Sequence, residues 1–118
     1  MARILVVEND LGNAEVIELI LLEESYEVIT IQQSNLLEAI IEGFSPELII
    51  MDILLDNADG RILSNILKMQ HKTCHIPILL ITAMMESQAL LVNCEADDLM
   101  LKPFDYMVLM RKIKTMLN

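Results

Sequence analysis

The chain has 118 residues, a length that suits a single domain spanning 1–118. Hydrophobic residues make up 54% of it, enough for a sizeable core and too many for a disordered chain. The formal net charge of −10 argues against direct binding of nucleic acid, whose phosphates require Lys and Arg, and suits a basic partner or a divalent cation.

Arg3–Val7 is a short run of apolar, mostly β-branched residues and predicts a strand. Gly12–Glu24 carries Val16, Ile17, Ile20 and Leu21 at helical spacing. Glu27–Ile31 predicts a second strand. Ser34 is a candidate cap for a helix that Gly43 would stop. Pro46 blocks further helix, and Leu48–Met51 predicts the third strand. Gly60 opens a helix over Arg61–Met69. Pro77 precedes a fourth strand, Ile78–Thr82, and a weaker helix covers Ser87–Asn93. Leu99–Leu101 is a short fifth strand that ends at Lys102-Pro103. Asp105 caps a last helix, with Leu109, Met110, Ile113 and Leu117 on one face.

This alternation predicts an α/β fold: a doubly wound, five-stranded parallel sheet with helices on both faces, a (βα)5 flavodoxin-like architecture. The strands are apolar throughout, as strands buried on both faces must be. The longest apolar runs, Leu48–Met51 and Ile76–Ile81, are too short to span a bilayer. The first residues lack the apolar stretch and small-residue cleavage site of a signal peptide, so a cytoplasmic location is expected. Cys74 and Cys94 form no Cys-x-x-Cys motif and read as packing residues. His71, Cys74 and His75 lack a second ligand group at zinc-finger spacing, so a solvated connection is expected there.

Open sheets of this kind bind ligands beyond the carboxyl ends of their strands. Glu8, Asn9 and Asp10 follow the first strand, Asp52 ends the third, Thr82 ends the fourth and Lys102 follows the fifth. Acids offer hard oxygens to Mg²⁺, which favours carboxylates, phosphate and water. A carboxylate is also a nucleophile toward phosphorus, and an ammonium neutralises charge on a transferring phosphoryl group. A flavin-type cofactor would need a Gly- or Ser/Thr-rich phosphate loop after the first strand, where Glu8-Asn9-Asp10 would instead repel a phosphate.

Ile4-Leu5-Val6-Val7-Glu8-Asn9-Asp10 resembles the opening of response-regulator receiver domains of two-component systems, whose fold is CheY-like. Ile49-Ile50-Met51-Asp52-Ile53 followed by Gly60 looks like their phosphoacceptor strand and loop, and Ile81-Thr82-Ala83 like their switch segment. Glu95-Ala96-Asp97-Asp98 with Leu101-Lys102-Pro103-Phe104 is similar to their last strand and its lysine. The resemblance covers the whole chain. It implies Asp52 as phosphoacceptor, and Thr82, Ala83 and Lys102 as switch and phosphate-binding residues. It further implies Mg²⁺ held by Glu8, Asn9, Asp52 and the Leu54 backbone carbonyl, with Asp10 as an additional candidate, and a cis Lys102-Pro103 bond.

Three positions depart from the family pattern. Asn9 stands where a metal-binding acid is usual, so Mg²⁺ binding is expected to be weakened. Leu99 replaces the usual aromatic residue of the fifth strand. Asp56 replaces a proline in the loop after Asp52, which predicts a more mobile loop. The resemblance implies a phosphoacceptor rather than an enzyme in the ordinary sense, although one that assists its own phosphorylation and dephosphorylation. The donor would be a histidine kinase or phosphotransfer protein, and the output a protein partner or a homodimer contact on the face of the fourth helix, fifth strand and fifth helix. At least half of Leu90, Leu91, Val92 and Leu99 on that face are expected to point into the core. No effector domain follows Asn118, so the output is a separate protein unless the chain is part of a longer one. The alternative is a pseudo-receiver, a non-phosphorylated interaction module, motivated by Asn9 and Leu99.

Overall fold

The computed structural model describes all 118 residues. Strands β1 (Arg3–Val7), β2 (Glu27–Ile31), β3 (Leu48–Asp52), β4 (Ile78–Thr82) and β5 (Asp98–Leu101) form one parallel sheet in the order β2-β1-β3-β4-β5. Helices α1 (Leu11–Glu23), α2 (Leu37–Phe44), α3 (Gly60–Met69), α4 (Glu86–Ala89) and α5 (Tyr106–Leu117) connect and follow them. The expected flavodoxin-like architecture is the one observed.

Side chains of a strand alternate between the two faces of the sheet, and each face here has its own core. Ile4, Val6, Leu48, Ile50, Leu79 and Ile81 pack against Ile17 and Leu21 of α1 and Leu109 and Ile113 of α5. Leu5, Val7, Ile49, Met51, Ile78 and Leu80 pack on the other face with Leu37 and Ile41 of α2 and Leu67 of α3. Every residue of β3 and β4 is buried, which is why neither strand shows a polar alternation. The strands β2 and β3 flank β1 on opposite sides, so the winding reverses between β1 and β3. A crevice opens there at the carboxyl ends of the strands.

Several boundaries differ from expectation. Ser34 begins a short 3-10 turn, Ser34–Leu36, and makes no capping bond for α2. Gly43 lies inside α2. The stop is Ser45, in the left-handed conformation with φ 52°, whose N–H donates to the Ile41 carbonyl. Val16 is exposed, whereas Ile17 and Leu21 carry the buried face of α1. Asp105 does cap α5, accepting from the Met107 amide.

The largest difference is α4, which forms one turn instead of running to Asn93. The buried guanidinium of Arg61 explains the stop. Its Nη1 donates to the carbonyls of Gln88 at 3.0 Å and Ala89 at 3.3 Å, and the chain turns with Leu91 N–H on the Gln88 carbonyl. The last carbonyls of a helix need donors, and here a side chain from α3 supplies them early. Asn65 of α3 holds the next stretch, donating to the Asn93 carbonyl and accepting from the Glu95 amide. Leu90 and Leu91 are left exposed, while Val92 and Leu99 are half-buried.

Candidate functional site

Asp52 is the last residue of β3, and its neighbours are fixed by the backbone. The loop after it returns at once as a small hairpin, in which Leu54-Leu55 pairs antiparallel with Ala58-Asp59 around an Asp56-Asn57 tip. The loop in which Asp56 replaces the usual proline thus carries a two-residue antiparallel pairing. The Leu54 amide donates to Asp52 Oδ1 at 3.0 Å. Gly60 closes the loop, its amide donating to the Ile53 carbonyl at 2.8 Å. A Cβ on Gly60 would lie 2.3 Å from the Asp52 carbonyl oxygen, so only glycine allows α3 to start this close to the end of β3.

Three of the expected residues converge. Lys102 Nζ lies 2.7 Å from Asp52 Oδ2 and 2.5 Å from Glu8 Oε1. Glu8 is wholly buried, and Asp52 is 5% exposed. Two carboxylates and one ammonium thus share a largely desolvated pocket. Burial, with the Asp52 carboxyl group beside it, pushes Glu8 up to about 7 against the opposing pull of Lys102. Burial alone would lower the pKa of Lys102, but Asp52 and Glu8 outweigh it and hold it above the usual lysine value. Glu8 Oε2 is buried without any hydrogen-bond partner, an arrangement that leaves one carboxylate oxygen available to a cation.

Thr82 is fully buried next to this group in the sheet. Its backbone carbonyl accepts from the Lys102 amide at 2.7 Å, and its hydroxyl accepts from the Met84 amide at 3.0 Å. Ala83 follows, exposed at the rim. The Lys102-Pro103 bond is cis, as expected. Leu99 lines a cavity of about 310 Å³ together with Ile53, Leu80, Ala89 and Val92.

Asn9 and Asp10 diverge. Asp10 does not face the pocket as an added acid: its Oδ1 accepts from the Asn13 amide at 2.9 Å and caps α1. Asn9 Nδ2 instead donates across the mouth to Asp56 Oδ1 at 3.1 Å. No cluster of three His, Cys, Asp or Glu side chains surrounds a common point anywhere in the chain, so neither the His71–His75 segment nor the pocket acids form a ready-made all-acid cage. Cys74 and Cys94 are both free thiols.

Sequence reasoning missed two residues. Arg61, 7% exposed, binds Asp59 through Nε at 3.0 Å and Nη2 at 2.7 Å as well as the α4 carbonyls, linking the loop after Asp52 to α4. The Asp59 carboxylate is held below its usual pKa by the bond from Arg61. Arg61 lies two positions after Asp59, whose Oδ1 caps α3 by accepting from the Arg61 amide at 2.8 Å, so the acid–Gly–Arg spacing was the available signal. Asp56 stands out in the sequence as a proline replacement, whereas its bond to Asn9, 47 positions away, has no local signature.

The model of the response regulator receiver domain family matches residues 4–114. The chain belongs to this family. Among curated relatives, the receiver is 32% identical over 117 residues to the response regulator PleD of Caulobacter vibrioides, covering 98% of this chain and 26% of that protein. The chain spans about half the length, or less, of the curated relatives it matches. Among solved structures, the receiver resembles the signal receiver domain of a histidine kinase from Syntrophus aciditrophicus, with a TM-score of 0.92, 30% identity, and coverage of 99% and 90% of the two chains. It also shares its fold with the receiver domain of a Pseudomonas aeruginosa sensor histidine kinase, at a TM-score of 0.87, 24% identity and coverage of 98% and 97%. That domain was solved with a magnesium ion in its active-site cleft. No helix of this receiver is long and apolar enough to cross a membrane.

Proposed function

We propose that this receiver takes a phosphoryl group on Asp52 from a phosphohistidine donor, a histidine kinase or a phosphotransfer protein. The observation that carries the reading is the Lys102 ammonium bound to both Asp52 and Glu8 in a buried pocket. An Asp52 carboxylate oxygen attacks phosphorus, the P–N bond to the donor imidazole breaks, and the leaving nitrogen takes up a proton. Lys102 then neutralises a phosphoryl oxygen, and Thr82 turns its hydroxyl from the Met84 amide toward that oxygen. Hydrolysis of the acyl phosphate by water resets the switch.

The residues present fit Mg²⁺. Glu8 has an unpartnered buried oxygen, Asp52 is adjacent, and Asn9 and the Leu54 backbone add neutral carbonyl oxygens. When bound, the ion supplies positive charge that offsets phosphoryl and carboxylate oxygens. Phosphorylation is read out, in this proposal, by a protein partner or a second copy at the face of α4, β5 and α5 in the cytoplasm. Exposed Leu90, Leu91 and Met107 offer apolar contacts there.

Intact-protein mass spectrometry after incubation with Mg²⁺ and a small acyl-phosphate donor tests the assignment. One phosphoryl increment is expected on the wild type and none on Asp52→Asn. Failure with the small donor and with a broad set of phosphorylated histidine kinases would instead support a non-phosphorylated interaction module, the reading that the neutral Asn9 favours.

A further inference from the structure

We infer that Asp56, at the tip of the hairpin after Asp52, supplies the negative charge that Asn9 withholds from the cation site. This rests on the reading of the pocket as a Mg²⁺-assisted phosphoacceptor site.

The acids around the mouth are not equivalent. Asp10 is engaged at the α1 N-terminus. Asp59 is paired with Arg61 at 2.7 Å. Asp56 is bound to neither a cation nor a helix N-terminus, and its carboxylate accepts only the Asn9 amide, at 3.1 Å and across 47 positions of sequence. With its NH₂ group directed to Asp56, the Asn9 side chain keeps Oδ1 as its only atom able to bind a cation. One contact therefore occupies the Asn9 NH₂ group and sets a carboxylate beside Asn9. The independent sign that a cation belongs here is Glu8, wholly buried, with Oε2 unpartnered.

Mg²⁺ dehydrates reluctantly and keeps several waters, so a carboxylate at the rim contributes charge and water binding without having to touch the ion. A unit charge several ångströms from a divalent ion in high dielectric changes affinity by about threefold to tenfold at low salt, and less as salt screens it. Asn9 and Asp56 together act as the divided equivalent of one acid: the oxygen comes from β1's side and the charge from the hairpin.

Isothermal titration of the full chain with Mg²⁺ tests this, because it reads binding without phosphorylation. Asp56→Asn should weaken binding by about threefold to tenfold at low salt, with the difference shrinking at high salt. The exchange variant Asn9→Asp/Asp56→Asn keeps a donor and an acceptor facing each other and returns the charge, so it should bind at least as tightly as wild type. Equal affinity of wild type and Asp56→Asn would overturn the inference alone. Failure of the exchange variant to recover would also overturn it, by showing that Asp56→Asn disturbs the hairpin instead. A wild-type chain that bound no Mg²⁺ would overturn both this inference and the metal part of the proposed function, while phosphorylation by mass would still decide the role of Asp52.

Discussion

Lys102 and Asp52 are 50 positions apart in sequence and 2.7 Å apart in space, joined inside a pocket that admits little water. Removing Lys102 leaves Glu8 and Asp52 facing one another without a counter-charge. Lys102→Met should lower stability by about 3 kcal/mol at pH 8, the scale on which a buried ion pair fails when one partner is removed. The loss should be smaller at pH 5, where Glu8 carries a proton. Urea unfolding of metal-free protein at the two pH values measures it, and an equal loss at both would show that the acids do not repel.

Glu8 gives the pocket a pH dependence with a definite sign. Its folded pKa, about 7, lies above the ordinary glutamate value of 4.5. Between these values the folded chain binds more protons than the unfolded one, so the Glu8 contribution to stability falls as pH rises through that window. The favourable Lys102 contribution persists there and is lost only above the ordinary lysine pKa of 10.5, as pH rises through its raised folded value. Metal-free unfolding curves from pH 4.5 to 8 should therefore flatten in Glu8→Gln relative to wild type.

Arg61 connects the Asp59 carboxylate to the end of α4. Arg61→Ala should cost about 3 kcal/mol, since it strands buried carbonyls and a carboxylate. Amide exchange over Leu90–Asn93 should accelerate more than elsewhere. Arg61→Lys should rescue little, because an ammonium cannot bridge both partners as the planar fork does. The depressed Asp59 pKa implies that this link stabilises the fold above about pH 4 and is lost as pH falls below the ordinary aspartate value of 3.8 and through the lowered folded one.

The Thr82 hydroxyl has one hydrogen bond, from the Met84 amide. Thr82→Ala should therefore destabilise the chain by about 1 kcal/mol. It should leave the phosphoryl mass increment on Asp52 intact while reducing any phosphorylation-dependent change in amide exchange across β5 and α4. Loss of the increment itself would assign Thr82 to the transfer step.

Much of this protein was legible in the sequence because local rules govern it. Fully buried parallel strands require the near-continuous apolar runs at Ile4–Val7, Leu48–Met51 and Ile78–Ile81. The alternation of strand and helix leaves few topologies, and the ordered motifs place Glu8, Asp52, Thr82 and Lys102 at strand ends. What tertiary structure decided are contacts between segments with no local signature. Arg61 ends α4 at Ala89 from another helix, overriding the helical spacing of the following leucines. The αL conformation of Ser45, not Gly43, stops α2. Adjacent residues Asn9 and Asp10 look alike in a one-dimensional reading, yet the turn into α1 directs one across the pocket mouth and the other onto the helix amides. The sequence determines which charged groups the pocket can draw on. Only the folded chain determines which of them remain free to meet a cation, because a carboxylate already bound to a helix N-terminus or a guanidinium has its charge engaged elsewhere.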